Sequence, residues 1–236
     1  MQILNKKEGI FMLKDLCFEI IQTCPNKCKF CSSNSSQDKQ TIITFEQFKK
    51  TVMHFIKQGG IEELSISGGE PFLHPDLFEM VKFCKDNGIK TVIFTSGIKR
   101  ASAMTVEMIE YIKNKCKQDL QEIEQLGLDK IVFDWQAFEE STDNELMGRK
   151  GLITCLMDSL IRASRTGINV DVHFIPMKPN YRQFSDIIEC LEISGVKNIS
   201  VLNFVPQGRG RDNKEELMLS KEELKEFSEI LKKEKE

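Results

Sequence analysis

The sequence predicts an α/β fold of parallel strands with outer helices. Three observations carry that expectation. Six short runs rich in β-branched and aromatic residues alternate with segments whose apolar residues recur at helical spacing. Enough chain separates successive strands for one crossover helix each, as parallel neighbours require. Glycine-containing stops, such as Gly59-Gly60, Asn87-Gly88, Gly127 and Gly195, follow the helical segments.

Leu16–Thr23 is expected as the first strand, with Cys17, Phe18, Ile20 and Ile21 apolar. Thr44 is placed to cap a helix whose Phe45, Phe48, Val52, Phe55 and Ile56 share one face. Glu63–Ser67 is the second strand. His74-Pro75-Asp76 opens the next helix, with Pro75 where a missing N–H is tolerated. Thr91–Thr95 is the third strand, and a helix is expected over residues 103–126. Lys130–Asp134 is the fourth strand, followed by one helix over Ser141–Arg165. Val170–Ile175 is the fifth strand, Tyr181–Ile193 a helix and Asn198–Val205 the sixth strand. Ser220–Lys233 closes the pattern as an amphipathic helix carrying Leu224, Phe227 and Ile230. Residues 32–41 and 207–216 are expected to be the least ordered. The pattern fits an open flavodoxin-like sheet and a curled barrel equally well.

Composition narrows the function. The chain has 236 residues, the size of one large domain. Its 33 Lys+Arg against 36 Asp+Glu give a net charge of −3, which argues against a nucleic-acid partner held by bulk basic charge. Hydrophobic residues at 40% and charged residues at 29% suit a globular protein and not a disordered one. No window approaches the ~18 apolar residues of a membrane span. Lys14, Asp15 and Glu19 interrupt the first apolar stretch, which therefore does not read as a signal peptide. A cytoplasmic, reducing location is expected, with no nucleic-acid or membrane partner.

Eight cysteines in such a compartment point to metal or redox chemistry rather than disulfides. Cys17, Cys84, Cys116, Cys155 and Cys190 are scattered and read as buried apolar residues. The other three crowd into Cys24-x3-Cys28-x2-Cys31, directly after the first strand. Active sites of parallel α/β proteins gather at that end of the strands. Three thiolates leave one iron of a [4Fe–4S] cube without a protein ligand, open to a substrate or cofactor. Structural zinc would need a fourth nitrogen or sulfur, and the nearest downstream histidine, His54, falls mid-helix.

Further residues stand at strand ends. The glycines of Ser67-Gly68-Gly69-Glu70-Pro71 let the backbone approach a ligand closely, or simply make a tight turn. Thr95-Ser96-Gly97 offers hydroxyls. Asp134-Trp135-Gln136 ends the fourth strand, and Trp135 reads as core or, alternatively, as a surface on which substrate stacks. His173, out of step with Val172 and Phe174, is expected to face the interior as a core or a substrate-contacting residue. Arg149 could pair with a carboxylate through its planar fork, or stand in solvent.

The cysteine spacing, with aromatic Phe30 before Cys31, resembles the signature of the radical S-adenosylmethionine (SAM) enzymes. The resemblance covers nearly the whole chain and implies a partial (β/α)6 TIM-like barrel. It implies that Cys24, Cys28 and Cys31 hold one [4Fe–4S] cluster, whose open iron chelates SAM. It also implies that Gly68, Gly69 and Glu70 hold the methionyl amino group. Phe30, Ser96, Asp134, Arg149, Val205 and Pro206 are the other expected cofactor contacts, and His173 and Gln136 the expected substrate contacts. In this sequence Ser96 stands where the family often has Asn, and Asp134 and Gln136 where Ser and Asp are usual. Val205-Pro206 lies in a segment expected against the adenine. Arg209 in Gly208-Arg209-Gly210 is expected to hold that loop or to touch ligand.

The chemistry so implied is reductive cleavage of SAM to a 5′-deoxyadenosyl radical that takes a hydrogen atom from the substrate. The electron would come from a flavodoxin or ferredoxin. The Gly-Glu-Pro and Gly-Arg-Gly segments resemble the branch that matures ribosomally made peptides. A tetrapyrrole or nucleotide substrate is the enzymatic alternative, and a non-catalytic iron–sulfur or zinc redox sensor the non-enzymatic one. Residues 1–236 are expected to form one radical SAM core domain. It carries no cysteine after Cys190, so it either needs no second cluster or lacks a C-terminal extension.

Overall fold

The computed structural model describes residues 5–7, 10–97 and 106–234, without the side chains of residues 5–11 and 106–113. Seven strands lie in one sheet in strict sequence order. They are β1 (Asn5–Lys7), β2 (Ile10–Ile21), β3 (Ile61–Gly68), β4 (Lys90–Thr95), β5 (Lys130–Asp134), β6 (Asn169–Phe174) and β7 (Asn198–Val201). The pairs from β2 to β7 are all parallel. Parallel crossovers share one hand, so sequential order puts every helix on one face and lets the other face curl inward. That order excludes the doubly wound alternative, in which helices cover both faces. The six parallel strands thus form the partial barrel.

The strand alternation follows from this one-sided cover. On β6, Val170, Val172 and Phe174 are buried beneath helices, while Asp171 and His173 on the other face are half-buried. Ile66, Ile93, Ile131 and Phe133 join the same outer core. The helix α1 (Phe45–Lys57) buries Phe48 and Val52 there, and each such side chain contributes roughly 1.5–3 kcal/mol. Its start is fixed by a reciprocal capping box between Thr44 and Gln47.

Several boundaries depart from the sequence expectation. A hairpin of β1 against β2 extends the first strand backwards to Ile10. After a 3-10 turn at Pro71–Leu73, α2 (Leu77–Asp86) begins beyond Pro75, which precedes the cap residue Asp76. The helix expected from 103 is seen as α3 (Val106–Gln125), and its expected first residues lie outside the described ones. The single helix expected over Ser141–Arg165 is two, α4 (Glu140–Met147) and α5 (Ile153–Ala163). Gly148 and Gly151 both take positive φ between them, which breaks the helical run. The next helix opens with a 3-10 turn at Tyr181–Gln183 and continues as α6 (Phe184–Ser194). The last strand ends at Val201, and residues 202–208 turn over the sheet's carboxyl edge. Residues 207–216, expected as irregular, contain two short helices, α7 (Arg209–Asp212) and α8 (Lys214–Leu217), before α9 (Lys221–Lys233).

Candidate active site

The carboxyl ends of the parallel strands surround a cavity of about 480 Å³. Cys24, Cys28 and Cys31 reach it from the loop after β2, and Gly68 and Gly69 from the end of β3. Thr95 ends β4 and Ser96 follows it, Asp134 ends β5, His173 faces in from β6, and residues 202–205 cross from β7. The structure therefore brings the three motif cysteines onto one wall of one cavity.

The cysteine loop lacks regular structure and is held from outside. At the end of α4, Met147 and Leu146 carbonyls accept from Lys27 N at 3.0 Å and Lys29 N at 2.8 Å. A Cβ on Gly148 would stand under 3.0 Å from Lys27 backbone atoms, so this close contact requires glycine. From beyond β7, Arg209 donates Nε to Cys28 O at 2.7 Å and Nη2 to Ser35 O at 2.8 Å. Asn213 Nδ2 adds a bond to Lys29 O at 3.1 Å. Arg209 thus holds the loop through its carbonyls.

Gly68 and Gly69 line the cavity and also make a close approach to the backbone of the preceding strand. Cβ atoms there would stand under 3.0 Å from Ile21 O and Thr23 O. Glu70 N donates to Thr23 O at 3.0 Å. The β3 end is therefore fused to the backbone that leads into Cys24. The Glu70 carboxylate is 1% exposed and turns away to the next strand. It accepts from Thr95 Oγ1 at 2.6 Å, Ser96 N at 2.9 Å and Ser96 Oγ at 2.8 Å. Glu70 and Ser96, both expected at the cofactor, meet each other in a buried latch. Burial raises the Glu70 pKa despite these donors.

Arg149 stands away from solvent and from the cavity wall. Its guanidinium forks onto the fully buried Asp143 at 3.1 and 3.2 Å and reaches Asn26 Oδ1 at 3.4 Å. Gln136 is fully buried and bridges strand ends. Its Nε2 donates to Asp134 Oδ1 at 2.5 Å and His173 O at 3.1 Å, and its Oε1 accepts from Ile175 N. Asp134 lines the cavity, and burial pushes its carboxyl up to about 6 against the Gln136 hydrogen bond and the Arg149 charge. The His173 ring packs 5.2 Å from Phe94, and burial lowers its pKa. Phe30 and Val205 line the cavity, whereas Pro206 is exposed beyond it. Trp135 is core, with Nε1 on Ala137 O at 2.6 Å.

Sequence reasoning missed Glu19, Phe94 and Ser35 on the cavity wall, and it read Cys17 as buried core, whereas that residue is exposed and lines the cavity because it shares the inward strand face with Glu19. Strand alternation against the partly buried Phe18 and the buried Ile20 could have marked Cys17 and Glu19. Nothing in the local pattern distinguishes Ser35 within Ser32-Ser33-Asn34-Ser35-Ser36.

A sequence model of the Radical SAM superfamily matches residues 18–191. The chain belongs to the radical SAM superfamily. Among related proteins, a probable GTP 3′,8-cyclase of Sulfurisphaera tokodaii is 23% identical over 201 residues, covering 85% of this chain and 59% of that protein. A PqqA peptide cyclase of Gluconobacter oxydans is 24% identical over 210 residues, covering 88% and 54%. The structure of Streptococcus suis SuiB bound to S-adenosylmethionine superposes with a TM-score of 0.69 at 18% identity, over 95% of this chain and 48% of SuiB. The radical SAM chain thus spans a little over half the length of these curated relatives.

The superfamily uses a [4Fe–4S] cluster and SAM, and the donor set here fits. Burial, then the Glu70 charge, pushes the Cys24 thiol up to about 12. Burial and the neighbouring Cys24 raise Cys28 well above its ordinary value. Bare thiolates are unfavourable at such a site, so a cationic iron core must displace their protons on binding. Among the described residues no three Cys, His, Asp or Glu side chains converge on a single-ion position. Among the described residues no helix is long and apolar enough to cross a membrane.

Proposed function

We propose that this radical SAM domain modifies a peptide substrate, with Cys24, Cys28 and Cys31 as the protein ligands of a single [4Fe–4S] cluster. The observation that carries the cofactor assignment is the meeting of the three thiols on one cavity wall at the carboxyl edge of a parallel barrel. Held there and reduced by an external electron donor, the cofactors would supply radical chemistry able to attack an unreactive C–H bond. The protein's part is placement and shielding. Gly68 and Gly69 keep the β3 end tight against the cysteine loop, Arg209 and α4 fix that loop's carbonyls and amides, and Phe30, Phe94 and Val132 give the cavity apolar walls.

The lining chemistry favours a peptide over a nucleotide or a tetrapyrrole. Among the described residues lining the cavity, Arg209 is the one permanent cation, and its fork is engaged with backbone carbonyls. A triphosphate or a ring of carboxylates calls for free cations. The mouth instead presents Leu202 and Val205, which are 37% and 56% exposed. The names of two similar proteins agree with this reading, since one is a peptide cyclase and SuiB has been solved with its precursor peptide SuiA.

The test uses the anaerobically reconstituted chain with SAM and a chemical or flavodoxin-type reductant. Formation of 5′-deoxyadenosine, lost in Cys28→Ala, is expected, with about four irons per chain. A mass change is then expected on the peptide encoded beside its gene and not on GTP or a porphyrinogen. Turnover of either of the latter would reverse the substrate assignment, and about eight irons per chain would refute the single cluster.

A further inference from the structure

Ser35 carries an unusual hydroxyl. The residue is 2% exposed, and Oγ finds no hydrogen-bond partner among the described residues. Buried polar groups are nearly always paired, so such an atom calls for an acceptor. Ser35 lines the same cavity as Cys24, Cys28 and Cys31. Its main chain is fixed there from both sides. The Arg209 guanidinium joins Ser35 O to Cys28 O, and the next residue, Ser36, accepts Cys24 N on its carbonyl at 3.1 Å. The hydroxyl of Ser33, by contrast, is satisfied by Glu19.

We propose that Ser35 Oγ–H donates a hydrogen bond to a sulfur of the iron–sulfur cluster and so raises its reduction potential. The proposal rests on the assignment of the three cysteines as cluster ligands. Cluster sulfides and coordinated thiolates are the anionic acceptors that this wall of the cavity would offer a stranded donor. Hydrogen bonds to sulfur draw off electron density and favour the reduced, more negative cluster. Ser35 would therefore ease delivery of the electron without touching substrate, as a positioning and tuning residue.

The experiment compares the reconstituted full chain with Ser35→Ala, and Ser35→Thr with the equal-volume Ser35→Val. Iron and sulfide content are measured first, then the cluster midpoint potential, by redox titration followed with electron paramagnetic resonance in the absence of SAM. The hydroxyl-free member of each pair is expected to hold iron as its partner does and to titrate at a more negative potential. At a fixed poise its reduced fraction should be several-fold lower. Equal potentials within both pairs would overturn the proposal. If neither hydroxyl-free variant holds iron while Ser35→Thr does, the hydroxyl is needed at the cluster and the proposal stands. If Ser35→Thr also loses iron, loop shape governs and the proposal falls. A wild-type chain that binds no iron, or a cluster that survives Cys28→Ala, would remove the ligand assignment itself, a result distinct from any of these.

Discussion

Arg209 donates Nε to the carbonyl oxygen of Cys28 at 2.7 Å, joining positions 181 residues apart in the chain. With its second bond, to Ser35, one side chain fixes two points of the cysteine loop. Hydrogen bonds from a charged donor are worth roughly 1.5–3 kcal/mol each. Arg209→Ala is expected to lower the denaturation midpoint of the metal-free protein and speed iron loss to a chelator. Arg209→Lys should rescue little, because an ammonium lacks the planar fork that spans both carbonyls. Chelator-challenge rates for the three proteins check this, and equal rates would show that the loop holds itself.

The Arg149–Asp143 pair is completely buried on both sides. Removing one member leaves a buried uncompensated charge, at a cost of about 3–5 kcal/mol. Asp143→Leu and Arg149→Met are each expected to destabilise by that order in urea denaturation. The double variant Asp143→Leu, Arg149→Met should be less destabilised than the sum of the single changes. Additive losses would mean the two residues are not energetically coupled.

Gly69 and Gly88 offer an internal comparison. A Cβ on Gly69 would press into Thr23 O, whereas one on Gly88 meets nothing within 4 Å, though Gly88 has φ of 72°. Gly88→Ala is expected to cost about 1 kcal/mol, the left-handed backbone term alone. Gly69→Ala should cost several times more and should perturb the entry into Cys24. Thermal melts of both variants, with iron content after reconstitution, provide the check.

Glu226 on α9 accepts from Arg182 at 2.8 and 2.9 Å and from Tyr181 Oη at 2.7 Å. The Arg182 bonds, then the Tyr181 bond, hold its carboxyl down at about 2 against an ordinary 4.5. A depressed carboxylate contributes stability that is fully present above the unfolded value and disappears as pH falls through the folded one. The stability difference between wild type and Glu226→Gln should therefore be constant above about pH 5 and shrink between about 4.5 and 2. Denaturation of the metal-free proteins across that range measures it. A difference that grows on acidification would reverse the sign of the argument.

The parallel strands and the cysteine motif were legible because each is local: period-two alternation, a spacing of thiols, glycines at strand ends. What escaped was set by partners far along the chain. The break between α4 and α5 follows from Gly148 having to admit the Lys27 backbone. The helices at residues 209–217 could not be read from charged local sequence, since Arg209 and Asn213 are ordered by carbonyls of the cysteine loop. Arg149, Gln136 and Glu70 were recognised as polar residues at the right strand ends. Buried, their side chains also hydrogen-bond other protein groups, and a single sequence does not reveal which partners those are. Ser35 had no local mark at all, since its distinction is a buried hydroxyl with no hydrogen-bond partner among the described residues.

The remote fastening of the cysteine loop sets an order of events during translation. The three thiols leave the ribosome early, but Met147 emerges more than one hundred positions later, and Arg209 and Asn213 later still. A nascent chain halted before residue 209 carries every sulfur of the motif and only part of its fastening. Cofactor delivery to a fully fastened pocket must therefore wait until Arg209 and Asn213 have emerged and docked, however soon the sulfurs themselves are exposed.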